Sequence, residues 1–353
     1  MRKESNTSNS LNAIEILASS IRRKIRIMEV CGTHTMNLAR TGLKEALPAN
    51  IELVSGPGCP VCVTESGYIA ALLELAGKGI KVITFGDLIK VPDENGRRLG
   101  DLPAGDIFTV YSPDRAFDIC DRQGNEFVFA GIGFETTAPL IAFLIKEAKR
   151  RKLRNFSVLS AHKRLYPALK LLSSDRELNI DAFLLPGHVT VITGTDYYEG
   201  LKIRGTVTGF EYGEMADGIT VCLGMISTGF LGIKNAYTKA AGKKGNPAML
   251  RTMNEIFSVC DSEWRGFGMI PGSGYGIRPG YSEYDAALKF GVTVKKQKKK
   301  SACICGDILR GRKTPFDCPS FALKCNPRYP IGPCMVSSEG ACSAWYKYKK
   351  RKN

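Results

Sequence analysis

The 353-residue sequence predicts an α/β protein: two parallel-sheet α/β units facing a central cleft, then a cysteine-rich C-terminal domain. Three observations predict it. Short β-branched or apolar runs alternate with helical patterns twice over, as parallel strands with crossover helices require. The segments following those runs gather histidine and cysteine, as the ligand-binding edge of such sheets would. The alternation then gives way to a tail with six cysteines in the 40 residues from Cys303 to Cys342. The expected divisions are 1–115, 116–235 and 236–353.

In the first unit, "RIMEV" (26–30), "IELVS" (51–55) and "IKVITF" (80–85) read as strands. Between the last two, Ile69, Leu72, Leu73 and Ala76 fall on one helical face, with Thr64 as N-cap and Gly77 and Gly79 as the stop. In the second unit, "FVFAGI" (127–132), "FSVLS" (156–160) and "DAFLL" (181–185) are buried strands. Pro139 suits a helix first turn, and Leu140, Phe143, Leu144 and Ala148 form an apolar stripe behind it. Beyond Thr206 the pattern weakens: "TVTGF" offers one more strand and "AMLRTMNEIF" (248–257) a helix. "WRGFGMIPGSGYGIRPGY" (264–281), rich in Gly and Pro, reads as a tight connector with little regular structure.

Composition narrows the class. With 44% hydrophobic and 24% charged residues, the chain is ordinary for a globular protein. No stretch approaches the roughly 18 apolar residues of a membrane span. The N-terminus "MRKESNTSNSLN" lacks the apolar core of a signal peptide, so a cytoplasmic protein without membrane attachment is expected. The net charge of +16 is uneven. From Lys289 onward, 16 Lys and Arg face 3 Asp and Glu, leaving +3 for residues 1–288. The excess lies in "VKKQKKK" (294–300) and the terminal "YKYKKRKN", and reads as a solvated linker and terminus. With no base-reading module, nucleic acid is not an expected partner.

Twelve cysteines without a secretory leader point to metal or redox chemistry, or to small buried residues, rather than a disulfide framework. Cys120, Cys222 and Cys260 stand alone and read as packing residues. The other nine cluster. Cys31, in "CGTHT", ends a strand and opens a helix, where backbone N–H groups favour thiolate. Cys59-Pro-Val-Cys62, in "VSGPGCPVC", has the spacing of a thioredoxin-type dithiol. Half a zinc site is less apt because no matching second half lies nearby.

The three histidines, His34, His162 and His188, all fall in loops after predicted strands. Glu135, in "GFETTAP", either caps a helix or supplies a proton in the cleft. In the tail, Cys303, Cys305, Cys318, Cys325, Cys334 and Cys342 lack the paired knuckles of a zinc ribbon. Irregular thiolates between Pro and Gly turns suit an iron–sulfur cubane better than zinc, making this an iron–sulfur domain. Spacing alone does not choose four of the six.

Together "MEVCGTHT", "SGPGCPVC", "GFETTAP", "PGHV", "WRGFGMIPGSG" and the tail from "CGDILRG" to "CSAWYKY" resemble the HypD family. These are scaffold proteins of [NiFe]-hydrogenase maturation. The resemblance covers about residues 28–348 and implies a redox-active maturation scaffold rather than a conventional turnover enzyme. On it the Fe(CN)2CO group is assembled, with a HypC-like chaperone as partner and a HypE-like protein delivering cyanide as a thiocyanate. By the same resemblance Cys31 holds the transient iron and Cys59 and Cys62 form the redox dithiol. The family's C-x14-C-x6-C-x16-C pattern fits Cys303, Cys318, Cys325 and Cys342 as ligands of a [4Fe-4S] cluster, with Cys305 able to replace Cys303.

His34, Glu135 and His188 are then expected as proton donors or supporting groups. Two departures stand out: "GFEY" (209–212) where the family has Gly-Phe-Glu-Pro, and a heavier lysine run. A rival reading, a stand-alone iron–sulfur thiol–disulfide oxidoreductase, uses the same cysteines but leaves Cys31 idle.

Overall fold

The computed structural model describes residues 2–122, 124–295 and 302–349. The lysine-rich run from residue 296 and the basic residues from 350 onward lie outside them.

Among the described residues nine parallel strands follow one another: β1 (Ile25–Glu29), β2 (Ile51–Ser55), β3 (Lys81–Thr84), β4 (Ile107–Thr109), β5 (Phe127–Gly131), β6 (Phe156–Ser160), β7 (Ala182–Pro186), β8 (Arg204–Thr208) and β9 (Gly232–Asn235). They form two sheets, ordered β2-β1-β7-β8-β9 and β4-β3-β5-β6. Every residue of β5 and β7 is buried. Helices cover both faces of such strands, which is why they read as continuous apolar runs rather than as alternation.

Sheet membership departs from the expected division. β1 pairs with β2 on one side and β7 on the other, Ile27 standing opposite both Leu53 and Ala182. The chain leaves the first sheet after β2, builds the whole of the second, and returns at β7. A boundary at 115/116 therefore falls inside the second sheet, between β4 and β5. Local apolar runs locate strands, but which strand neighbours which is decided by contacts far apart in sequence.

Three local expectations are also corrected. Thr64 does not start the helix Tyr68–Gly77; it closes the one-turn helix Pro60–Val63, its hydroxyl donating to the Pro60 carbonyl at 2.8 Å. In the helix Ala138–Arg151 the buried face is Ile141, Ala142, Leu144, Ile145 and Ala148, while Leu140 and Phe143 are exposed. The Gly- and Pro-rich segment is mostly strand. β10 (Phe257–Trp264) and β11 (Gly268–Ile277) form an antiparallel hairpin. Its glycines permit close backbone approach: a Cβ on Gly274 would stand 2.7 Å from that of Ser262.

Helices Arg2–Ser20 and Tyr212–Ser227 cover the first sheet, and Ala138–Arg151 the second. A further core unites the second sheet's other face, the Pro60–Val63 turn, Trp264 at the hairpin tip and the cysteine-rich tail. Burying side chains such as Leu72, Val128 and Trp345 there contributes about 1.5–3 kcal/mol apiece. Tail and sheets are thus one folded body. Among the described residues no helix is long and apolar enough to cross a membrane.

Candidate functional site

At the carboxyl ends of the parallel strands, loops from both sheets and one segment of the tail meet around a cavity of about 230 Å³. Cys31 follows β1, Gly58 follows β2, Phe134 and Thr137 follow β5, His188 follows β7, and Glu339 comes from the tail. This is the cleft the sequence predicts, though its walls are drawn from interleaved parts of the chain.

Cys31 is the N-cap of the helix Gly32–Thr41, with extended backbone (φ −144°, ψ 126°). Its thiol faces the amides of Thr33 and His34, which favour thiolate, as expected from sequence. Burial dominates, however. With the nearby Glu339 and Glu29 carboxyls it pushes the thiol up to about 12. Without metal Cys31 is therefore protonated, contrary to the thiolate expectation. Glu29, buried at the end of β1, is itself pushed up to about 8 by desolvation.

The next loop lies directly against Cys31. The Gly32 amide donates to the Gly58 carbonyl at 3.1 Å, and one residue on Cys59 caps the helix Pro60–Val63. The Cys62 amide donates to Cys59 Sγ at 3.2 Å. The two cysteines form a disulfide, with Cα atoms 5.2 Å apart. Both are buried, Cys59 2% and Cys62 0% exposed.

The histidines separate into three environments. His188 is exposed, lines the cleft and stacks on Phe210 with centroids 3.9 Å apart. His34 packs on the same Phe210 at 4.8 Å but is fully buried, with Nε2–H donating to the Gly209 carbonyl at 2.9 Å and Nδ1 without a partner. Desolvation lowers it to about 4, so it is neutral. His162 lies at the end of β6, 1% exposed, its Nδ1 3.1 Å from Ser160 Oγ, and burial lowers it to about 3. Its ring is held by the second sheet and is absent from the cleft lining.

Glu135 is fully buried behind the cleft wall rather than open to it. Its Oε1 accepts from the Leu165 amide at 2.9 Å and from the Tyr197 hydroxyl, while Oε2 has no partner. It thus fastens the start of the helix Leu165–Ser174, not that of the helix following it in sequence. Desolvation raises its pKa.

Sequence reasoning missed Glu339. Its Oε1 accepts from Thr33 Oγ1 at 2.8 Å, and a Cβ on Gly32 would overlap its side chain at 2.4 Å. The only signal was a carboxylate beside a glycine in a cysteine-rich segment, and its partner lies 306 residues earlier.

All six tail cysteines line one small cavity with Ile308, Phe321 and Met335. Cys303 is half-buried and the others buried. Cys305 contacts both Cys303 and Cys334; the Cys303 contact lowers its pKa, but the Cys334 contact and burial outweigh it and push Cys305 up to about 12. The cavity gathers Cys305 and Cys334 as well as the four that fit the spacing pattern. Among the described residues no group of three or more His, Cys, Asp or Glu is arranged around a single ion position. The disulfide and five of the tail cysteines share one apolar core. Of the three cysteines expected to pack, Cys120 and Cys222 are buried, whereas Cys260 is exposed on β10.

The HypD family model, described as "Hydrogenase formation hypA family", matches residues 6–349. The chain belongs to the HypD family. It is 37% identical over 347 residues to a hydrogenase expression/formation protein of Methanocaldococcus jannaschii, covering 97% of this chain and 96% of that one. It is likewise 37% identical over 345 residues to the hydrogenase maturation factor HypD of Escherichia coli, covering 96% and 92%. With HypD2 of Bradyrhizobium diazoefficiens identity is 38% over 344 residues, covering 93% and 90%. HypD membership assigns the chain to hydrogenase maturation, as its motifs lead one to expect.

Proposed function

We propose that this chain is a redox scaffold on which the Fe(CN)2CO group of a [NiFe]-hydrogenase is assembled, in complex with a HypC-like chaperone and a HypE-like cyanide donor. One observation carries the reading. Cys31 lies in a cleft walled by both sheets and the tail, beside a buried disulfide that shares its core with the tail thiols.

Cys31 is the anchor for the iron being built. Its thiol gives up a proton as it ligates, and a soft thiolate suits iron bearing strong-field ligands. Cys303, Cys318, Cys325 and Cys342 would hold the [4Fe-4S] cluster, which fits a cavity lined by six thiols and no competing carboxylate. When bound there, the cluster supplies electrons one at a time.

Cys59 and Cys62 supply them in pairs. Passing from dithiol to disulfide they release two electrons and two protons. The S–C bond of the thiocyanate breaks, its sulfur leaves as a thiol with one proton, and cyanide goes to the iron as the second proton is released. His188, exposed in the cleft, is placed to carry that proton. His34 and Glu135 act from behind the walls, His34 through Phe210 and Glu135 through the Leu165 amide and Tyr197.

A stand-alone thiol–disulfide oxidoreductase needs an external thiolate to reach a sulfur. With Cys59 and Cys62 2% and 0% exposed, the pair offers little surface to such attack, which favours the scaffold reading. The test is anaerobic purification with the chaperone, iron and sulfide analysis, and infrared spectroscopy. CN and CO stretching bands are expected; their absence from a properly loaded complex rejects the assembly role.

A further inference from the structure

Between the disulfide and the tail cavity lies the tip of the β10–β11 hairpin. The Arg265 amide donates to the Val63 carbonyl at 2.9 Å, and its side-chain Nε donates to the Thr64 carbonyl at 3.1 Å. These carbonyls end the one-turn helix that carries Cys59 and Cys62. The next residue, Gly266, has φ +85° and meets the tail backbone: a Cβ on it would stand 2.5 Å from the Gly306 Cα. Gly306 follows Cys305. Trp264, on the other side of Arg265, is fully buried in the shared core, its Nε1–H donating to Ser273 Oγ at 2.8 Å. The hairpin tip is therefore fixed to the dithiol helix at one end and to the thiol cavity at the other.

The surroundings are apolar. Val61, Val63, Ile308, Phe321 and Met335 belong to the same core, so negative charge added there by reduction is poorly solvated. A guanidinium stays charged at every physiological pH.

We propose that Arg265 is a positioning residue for electron transfer: its charge stabilises the electron arriving at the tail centre, and its hydrogen bonds hold the dithiol helix against that centre. This rests on the cluster reading above. The electron enters the tail centre singly from an external one-electron donor protein. Reducing the disulfide takes two such electrons and two protons and breaks the Cys59–Cys62 bond.

The test compares the wild-type chain with Arg265→Gln and Arg265→Lys, purified anaerobically, with iron and sulfide per chain measured first. Redox titration followed by electron paramagnetic resonance gives the midpoint potential of the tail centre. Arg265→Gln is expected to keep its iron and sulfide and to shift the one-electron equilibrium toward the oxidised form about tenfold, ~59 mV more negative. Arg265→Lys, which keeps the charge, is expected to recover most of that shift.

A loaded Gln variant with the wild-type potential overturns the proposal, as does a Lys variant shifted as far as the Gln variant. Should the Gln variant fail to load, the Lys variant decides alone: a near-wild-type potential supports the charge, and a tenfold shift overturns it. A wild-type chain that takes up no iron and sulfide overturns the cluster reading as well, and so is distinct from a loaded variant of unchanged potential.

Discussion

Gly58 presses on the backbone of Cys31: a Cβ on it would stand 2.3 Å from both the Cys31 amide nitrogen and its Cα. No neighbouring side chain can rotate away to relieve such a contact, because the obstacle is main chain. Gly58→Ala is expected to destabilise the fold by about 1–3 kcal/mol and to lower iron capture at Cys31. Denaturant unfolding and iron analysis of the chaperone complex check both, and tail iron and sulfide should be unchanged.

Cys31 and the dithiol should separate by their losses. Cys31→Ser is expected to abolish iron beyond the tail cluster. Cys59→Ser or Cys62→Ser should stop maturation while leaving tail iron and sulfide in place. If Cys31→Ser instead spared a dithiol-exchange activity of the isolated chain, the oxidoreductase reading would gain.

The tail cavity sets a sharper test, because six thiols line it and a cluster takes four. Replacing Cys303, Cys318, Cys325 or Cys342 singly by Ser should strip iron and sulfide. Cys305→Ser and Cys334→Ser should retain both. Retention by Cys303→Ser together with loss by Cys305→Ser would exchange those two residues.

Phe210 is flanked by His34 and His188, and the two rings should behave differently when removed. His188→Ala is expected to slow cyanide transfer with little change in melting temperature, since that ring is exposed. His34→Ala should lower stability, because it empties a buried site and removes the shorter of the two hydrogen bonds on the Gly209 carbonyl. Thermal melts beside single-turnover assembly separate the two.

His162 gives a pH signature. Its folded pKa is lowered to about 3, well below the ordinary 6.5, so it stays neutral while the unfolded chain takes up a proton. Stability from this site is whole above pH 6.5 and declines as pH falls through the window down to 3, by about 1.4 kcal/mol per unit. Buried Glu29, raised to about 8, titrates in the opposite sense, so total stability hides the effect. The difference between the wild type and His162→Gln should expose it: the stability gap narrows on acidification. A gap constant from pH 7 to 4.5 would count against it.

Much of the fold was legible where the signal is local. The strands at 51–55 and 156–160 are β-branched or apolar runs bounded by turn residues, and both lie where the sequence places them. The cleft's Cys31, Gly58 and His188 were legible because each follows such a run. The neighbours of β1 were not, because β7 reaches it from about 155 residues away in sequence, a separation no periodicity encodes. The β10–β11 hairpin was hidden by its glycines, which weaken strand propensity yet are what let its strands pack closely. Glu135 was placed in the right loop, but whether its carboxyl faced the cleft depended on Tyr197, which no motif ties to it.

The bond between Thr33 and Glu339 joins positions 306 residues apart, and this has a consequence for synthesis. A nascent chain that has reached residue 300 already carries Cys31, Cys59 and Cys62 but lacks the wall that completes their cleft. Domains take shape as they emerge, yet this pocket cannot close until the ribosome has passed residue 339. Completion of the cleft is thereby deferred until the tail has been made, and truncated translation products would hold the thiols without the enclosure around them.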